Sequence, residues 1–394
     1  MNNLLDGIKL GWYAFSQSEK HFQENILIDP MTPFDQDGAN LTITFLSLNR
    51  AALSIRLLDS IQRHLPNFKG QILIFDNGSD VGELDKLKDF TRILHLSVTI
   101  HEATKNFGVA GGRNRTAELI KTDWFLSLDN DIYLIDNPLL SIKECVDNLG
   151  VHFLNIPLLN EDGHTVFTAG PNLYLEKYKD SYAIGTPTSF KQTLKSEITI
   201  EAPFLSTCLF GGISVLRTKS FIEQGGYDEN MFIGFEDLDF SIRLYKKSIK
   251  IGNINKFCAV HGHEAPLNQS DLDYEKTRYS QKIIQESGEY FRSKHNIYAW
   301  TEGVNNWIAA REKELELKND NVDFSRQTEI HNRNKTRHLN KGLKSATERA
   351  RVALVIDSEN WAFHNYARQI SRHLSDEYDF QIFASANYEN PALL

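Results

Sequence analysis

The chain has 394 residues, 41% of them hydrophobic and 11% aromatic, which suits a globular enzyme of two or more units better than one ordinary core. Its formal charge of -9 argues against a general nucleic-acid binder, whose phosphate contacts need a basic surface. Three cysteines (Cys145, Cys208, Cys258) are scattered without C-x-x-C spacing, which suggests neither a zinc ribbon nor a disulfide framework and fits a reducing cytoplasm.

The first twenty residues lack the basic start, apolar centre and small-residue cleavage site of a secretory signal. No apolar run is long enough to cross a bilayer, so any membrane contact is expected to be peripheral, at the inner face of the cell membrane. Residues 1–40 read as a short helix and a lead-in loop rich in Pro, Asp and Gly. From Leu41 strands and helices alternate. LTITFLSL is β-rich, and Leu53, Leu57, Ile61 and Leu65 make one face of a helix over Ala51 to Leu65. QILIFDNGSD is a buried strand ending in a turn, LSVTIHEA is another strand, and Arg113 to Ile120 predicts a helix before the strand WFLSL.

This order predicts an α/β fold, a doubly wound, mostly parallel sheet flanked by helices and joined by right-handed crossovers. Ligands then bind beyond the carboxyl ends of the strands. Asn49 and Arg50 follow the first strand, Asp76-Asn77-Gly78 the second, and Asp129-Asn130-Asp131 the later one, so these residues are expected to converge on one crevice. If WFLSLDNDIY continues as a strand, Asp129 and Asp131 share a face, and two crowded carboxylates call for a cation. A hard divalent ion carrying phosphate, Mn²⁺ or Mg²⁺, is the usual occupant. NFGVAGGRN places three glycines around a helix start, where free N–H groups can meet phosphate.

After residue 150, VHFLNIPLL and the region from Glu197 to Leu216 supply further strands, separated by a loop-like stretch. Glu236, Asp237 and Asp239 open a helix with Leu238, Ile242 and Tyr245 spaced for burial. Asp239 to Arg243 is an ordinary i, i+4 pair, whereas Glu236-Asp237 behind the flexible Gly234 is read as functional. Ser270 and Asp273 form a capping box opening a helix to about Lys294, with Tyr279, Ile283 and Phe291 as packing residues. Residues from Ala310 to Arg351 read as a charged linker. The tail from Arg349 reads strand, helix, strand, which alone buries too little surface to be stable.

The pieces NR after strand one, DNGSD, NFGVAGGRN, DND, GGYDENMF, FEDLDFSIRL and VHGHE, in that order over Leu41 to Glu264, resemble the family 2 glycosyltransferases of GT-A fold. The resemblance implies an inverting, metal-dependent hexosyl- or N-acetylhexosaminyl-transferase. Its donor would be a nucleotide-diphosphate sugar, usually a UDP-sugar, and its acceptor a glycan or lipid-linked glycan, as in bacterial surface polysaccharide synthesis. It assigns nucleobase reading to Asp76, a place near ribose and metal to Asp129, and direct metal contact to Asp131. Asn49, Asn106, Gly108 and Arg113 would line the donor pocket, and Asp237, beside Glu236, would be the catalytic base. His261 matches a further metal or phosphate contact, with His263 as its rival.

On this reading the domains are 1–40, a GT-A domain at 41–265, a helical extension and linker at 266–348, and at 349–394 the start of a truncated second domain resembling a GT-B type glycosyltransferase. Two other classes compete. A sugar nucleotidyltransferase would carry a Gly-rich signature with Arg and Lys after the first strand, where this chain has SLNRAALS. A catalytically inactive glycan-binding module would keep the fold without the chemistry.

Overall fold

The computed structural model describes residues 32–264, 266, 268–317, 350–356, 362–374 and 378–384. The expected helix before residue 32 and most of the charged linker lie outside the described residues. The chain divides into two compact units, Met1–Lys335 and Thr336–Leu394.

The first unit is built on an eight-stranded sheet of order β11-β13-β6-β12-β4-β1-β2-β3. Strands β1 (Leu41–Ser47), β2 (Gln71–Asp76), β3 (Val98–Glu102) and β4 (Trp124–Leu128) are mutually parallel. Helices α1 (Ala51–His64), α2 (Val81–Thr91) and α3 (Gly108–Leu119) join them. The chain runs outward from β1 to β3, then returns to place β4 on the other side of β1. The strand order therefore reverses between β1 and β4, and a crevice opens at that point. Beyond β4 the sheet turns mixed. β12 (Ile213–Arg217) runs antiparallel to β4 and to β6 (Phe153–Asn155), β13 (Ile251–Asn253) lies parallel to β6, and β11 (Phe204–Ser206) closes the edge antiparallel to β13.

The residues that form these elements are those that must leave water. Leu53, Leu57, Ile61 and Leu65, the expected face of α1, are all buried against the sheet. Trp124 is fully buried at the start of β4, its indole N–H donating to the Pro33 carbonyl at 3.1 Å and its ring edge-on to Phe34. Burying side chains of this size contributes on the order of 1.5–3 kcal/mol each.

A second, four-stranded sheet of order β5-β14-β7-β8 stands beside the crevice. β5 (Ile132–Leu134) and β14 (Ala259–His261) pair antiparallel with His261 opposite Ile132; β7 (Leu158–Leu159) and β8 (Val166–Thr168) complete it. The stretch expected to be loop-like thus contains β8 and also a hairpin, β9 (Tyr174–Tyr178) with β10 (Ser181–Gly185). Gly and Pro density masks these short strands. Pairing supplies their backbone hydrogen bonds while Leu175 and Ile184, directly opposite each other, point into a core and Glu176 and Lys177 stay in water.

The helical extension also departs from expectation. Asn268, not Ser270, caps the first helix, its side chain accepting from the Asp271 N–H at 2.8 Å, while the Ser270 hydroxyl reaches Asp80. The helix ends after ten residues, so α7 (Gln269–Arg278) and α8 (Gln281–His295) replace one long helix. On α8 it is Ile284, rather than Ile283, that is buried along with Phe291. Helix α9 (Glu302–Leu317) follows. In the second unit β15 (Ala350–Ile356) and β16 (Tyr378–Ala384) pair in parallel, with α10 (Ala362–His373) between them in sequence.

After α4 (Leu139–Leu149) and α5 (Thr218–Glu223), helix α6 (Glu236–Lys246) is tied to α8 through Asp239. This carboxylate is fully buried and meets Arg243 at 2.9 Å, Lys294 at 2.7 Å and His295 at 2.8 Å. Burial alone raises its pKa, but the bonds from His295 and Lys294 outweigh that and bring it down to about 2. A depressed carboxyl stabilises the fold above its unfolded pKa, and the contribution disappears as pH falls through about 2. Asp239→Asn, which leaves the partly exposed Arg243 and Lys294 facing an amide in place of a carboxylate, is expected to cost about 2–3 kcal/mol, read as a lower urea midpoint at neutral pH.

Candidate active site

The crevice is a cavity of about 460 Å³. It gathers Asn106, Gly108 and Arg113 from the start of α3, Asp129 and Asp131 after β4, Glu236 and Asp237 from the start of α6, and His261 with His263 after β14. These residues come from four separate stretches of chain.

The start of α3 is built by asparagines. The Asn77 side chain accepts from the Phe107 N–H at 2.9 Å and donates to the Asn106 side chain and the Gly108 carbonyl at 3.0 Å. Asn106 in turn accepts from the Gly108 N–H at 2.8 Å. Gly108 has φ of 74°, and a Cβ there would stand 2.4 Å from the Phe232 carbonyl oxygen, which already accepts from the Val109 N–H at 2.8 Å. Only glycine fits this left-handed, crowded position. It lets the NFGVAGG turn touch the loop leading into α6. The glycines also explain why α3 begins at Gly108 and not at Arg113 as periodicity suggested. Glycine is a poor helix former, yet at Gly112 a Cβ would lie 2.9 Å from the Leu46 side chain, so the glycine lets α3 pack closely on β1.

Asp129 and Asp131 do not owe their placement to strand alternation. β4 ends at Leu128, and the DND segment is a turn in which the Asp129 N–H donates to Gly212 and the Asp129 carbonyl accepts from Ile132. The two carboxylates line one cavity but take different partners. Asp129 accepts from Arg113 at 2.6 Å. Asp131 is almost fully buried, 3.3 Å from both His261 Nε2 and Arg278 Nη1. Burial pushes the Asp131 carboxyl up, but His261, then Arg278 and Arg50, override this and hold it well below the usual carboxylate range.

Asp131, His261 and His263 offer three ligand atoms lying within 4.8 Å of one another. Asp131 Oδ1 and both His261 ring nitrogens are buried without a hydrogen-bond partner, the Asp131 to His261 contact lacking hydrogen-bond geometry. Buried polar atoms are rarely left so. A buried carboxylate and a buried imidazole with unsatisfied lone pairs, beside the exposed imidazole of His263, fit a divalent cation. Asp129 stands outside this group, engaged by Arg113. The rings of His261 and its rival His263 lie together, their centroids 3.6 Å apart.

On α6, the Asp237 carboxylate accepts from the Gly211 N–H at 3.2 Å and the Leu238 N–H at 2.8 Å. Glu236 lies 3.5 Å from Arg113, with its Oε2 buried and unpartnered. Burial, and then the neighbouring Asp237, raise the Glu236 carboxyl to about 7. Burial raises Asp237 as well, against the pull of the Gly211 N–H and Arg113. Phe235, immediately before, has φ of 69°. A bulky residue in the left-handed region is strained, and such strain is held where a side chain must be aimed.

Asn49 and Asp76, expected in the donor pocket, are not among the residues that line the cavity, because both are spent on local turns. The Asn49 side chain accepts from the Asp80 N–H at 2.8 Å, and both Asp76 oxygens accept from Ser79. Sequence reasoning missed Arg278, Tyr274 and Trp307, which line the cavity from α7 and α9. The only signal for them was the position of a basic and aromatic helix after the last motif.

Residues 53–268 match the model of the family described as Glycosyltransferase like family 2. Among curated proteins, the chain is 24% identical over 219 residues to "Putative polypeptide N-acetylgalactosaminyltransferase 13" of Drosophila melanogaster. The match takes in 53% of this chain and 38% of that protein, so the chain spans well under half the length of this relative. Among solved structures, "Crystal structure of GalNAc-T7 with UDP, GalNAc and Mn2+" aligns at a TM-score of 0.46 and 16% identity, over 71% of this chain and 57% of that one. "Mannosyltransferase PcManGT from Pyrobaculum calidifontis in complex with GDP-Man and Mn2+" aligns at 0.43 and 12%, over 80% and 85%.

Proposed function

The chain belongs to glycosyltransferase-like family 2, and from that premise we propose that it is an inverting, metal-dependent transferase moving a sugar from a nucleoside-diphosphate donor to a glycan hydroxyl. The observation that carries this is the meeting, in one cavity, of the Asp131, His261 and His263 group with the Glu236-Asp237 pair. A divalent ion held by Asp131, His261 and His263 would supply Lewis-acid stabilisation of the departing diphosphate. The imidazoles favour Mn²⁺ over Mg²⁺, which prefers oxygen ligands.

The chain's own groups account for the rest. Arg278 and Arg113, both cavity-lining cations, can offset negative charge as the bond between the anomeric carbon and phosphate oxygen breaks. The bond's electron pair leaves with the diphosphate while the acceptor oxygen attacks from the opposite face. Asp237 takes the acceptor's proton, because a neutral hydroxyl is a poor nucleophile. Its neighbour helps: Glu236, raised to about 7, holds a proton near neutrality and spares Asp237 a full adjacent negative charge. Asn106 and Gly108 shape the donor wall, and Asn49 and Asp76 fix the turns at the nucleobase end.

UDP as the nucleotide, a role in bacterial surface polysaccharide synthesis and a cytoplasmic location at the inner membrane face belong to the same reading. Among the described residues no helix is long and apolar enough to cross a membrane. The second unit is read as GT-B-like. Incubation with UDP-glucose, UDP-N-acetylglucosamine, UDP-N-acetylgalactosamine and GDP-mannose plus Mn²⁺ is expected to release nucleoside diphosphate from one of them. Consumption of pyrophosphate instead would point to a nucleotidyltransferase. No turnover of any donor, with or without added glycans, would favour the inactive module.

A further inference from the structure

The family match ends at residue 268, yet part of the cavity wall comes later: Tyr274, Thr277, Arg278, Tyr279 and Trp307. Trp307 is 59% exposed, unusual for a tryptophan, whose large apolar ring is buried on average. It stands edge-on to Tyr279, with centroids 5.7 Å apart and planes at 85°. Tyr279 is itself fixed, with the Arg278 guanidinium 5.6 Å and the Arg311 guanidinium 5.3 Å from its ring centre. A bond from Gln281 to Asn305 at 2.7 Å ties α8 to α9 and holds Trp307 in place.

The position of this aromatic pair matters. Arg278, one residue before Tyr279, reaches Asp131 in the cation group. Ile284 on α8 packs against Gly234, and Gly288 against Phe235, on the loop that carries Glu236 and Asp237. Tyr279 thus sits in sequence between a residue anchored at the leaving-group side and residues anchored at the base side. Leu46, Leu48, Asn77 and Asn106 line the cavity from other elements, and on the transferase reading these take the donor's nucleoside.

We propose that Trp307, steadied by Tyr279, is the platform on which a pyranose ring of the acceptor stacks, so that the α7–α9 extension selects the acceptor. This rests on the transferase reading above and names the acceptor class for it. One face of a pyranose is a sheet of C–H groups that an indole face covers, while its edge carries hydroxyls within reach of groups such as Thr277. The flanking Arg278 and Arg311 charges make the same wall a poor bed for a lipid chain.

The test uses the full chain with the methyl glycosides of glucose, galactose, mannose, N-acetylglucosamine and N-acetylgalactosamine. Saturation-transfer NMR in metal-free buffer is expected to show contact with the C–H face of at least one glycoside. Trp307→Ala weakens that contact about tenfold and Trp307→Phe restores most of it. Calorimetry with Mn²⁺ plus UDP or GDP gives nucleotide affinities for the same variants that agree within about twofold, because stacking is confined to the sugar. The ring is exposed, so both variants fold. The proposal is overturned if no glycoside distinguishes wild type from Trp307→Ala. It is equally overturned if the variant loses nucleotide affinity as much as glycoside contact, which would make the ring a nucleobase platform. Failure of the transferase reading looks different: wild-type protein would then bind neither nucleotide, whatever the glycosides do.

Discussion

Asp237→Asn is expected to lower turnover by about 10²–10⁴-fold while nucleotide-sugar binding survives. The amide matches the carboxylate in shape but cannot accept the acceptor's proton. Its single oxygen can keep the Leu238 N–H, now at 2.8 Å, but its amino group then faces the Gly211 N–H that Asp237 accepts at 3.2 Å. That mismatch costs about 1–3 kcal/mol of local stability, short of unfolding a chain with this core. The variant should also change its neighbour. Asp237 is the second cause of the rise in Glu236 after burial, so with a neutral amide in place the Glu236 carboxyl should titrate below about 7. Nucleoside diphosphate release at saturating donor and acceptor, with donor affinity by calorimetry, checks the first part. Near-normal turnover would show that another group takes the proton.

Asp131→Ala is expected to abolish Mn²⁺-dependent nucleotide binding. Losing an outer-shell partner already costs roughly 10–100-fold in metal affinity, and losing a ligand exceeds that. The substitution should spare the scaffold, because the contacts that fix the segment use the backbone: the Asp131 carbonyl accepts from Gly262 at 2.9 Å and from Arg56 at 3.1 Å. It also leaves Arg278 without its carboxylate at 3.3 Å. Metal-free binding of a polyanion such as pyrophosphate should therefore persist or strengthen. Titration of Mn²⁺ and nucleotide, separately and together, separates these outcomes. Unchanged Mn²⁺ affinity would remove Asp131 from the cation group and leave the two histidines without an anionic partner.

The two expectations divide the site in a way the sequence only half displayed. The motifs could be read because each is a local device: a β-strand's polar end, a glycine turn, acidic residues opening a helix. The amphipathic face of α1 was legible for the same reason, since Leu53, Leu57, Ile61 and Leu65 repeat with the helix and are all buried. Where the local signal carries no information about partners, the reading fell short. Nothing in WFLSLDND says that Asp129 turns to Arg113 while Asp131 turns to His261, because both carboxylates were assigned by strand alternation and the segment is a turn. The capping box at Ser270 was a fair local match, overruled by a distant residue when Asp80 engaged the hydroxyl and Asn268 took the cap.

The sequence alone determined the α/β class, the order of the motifs and the identity of the acidic and imidazole groups, since these follow from periodicity and residue chemistry along short stretches. The tertiary structure alone decided which groups meet. The antiparallel pairing of β5 with β14 brings His261 beside Asp131, and the contact of Gly108 with Phe232 brings α3 to the loop bearing Asp237. Pairings across more than a hundred residues depend on which surfaces bury each other, and no local pattern encodes that.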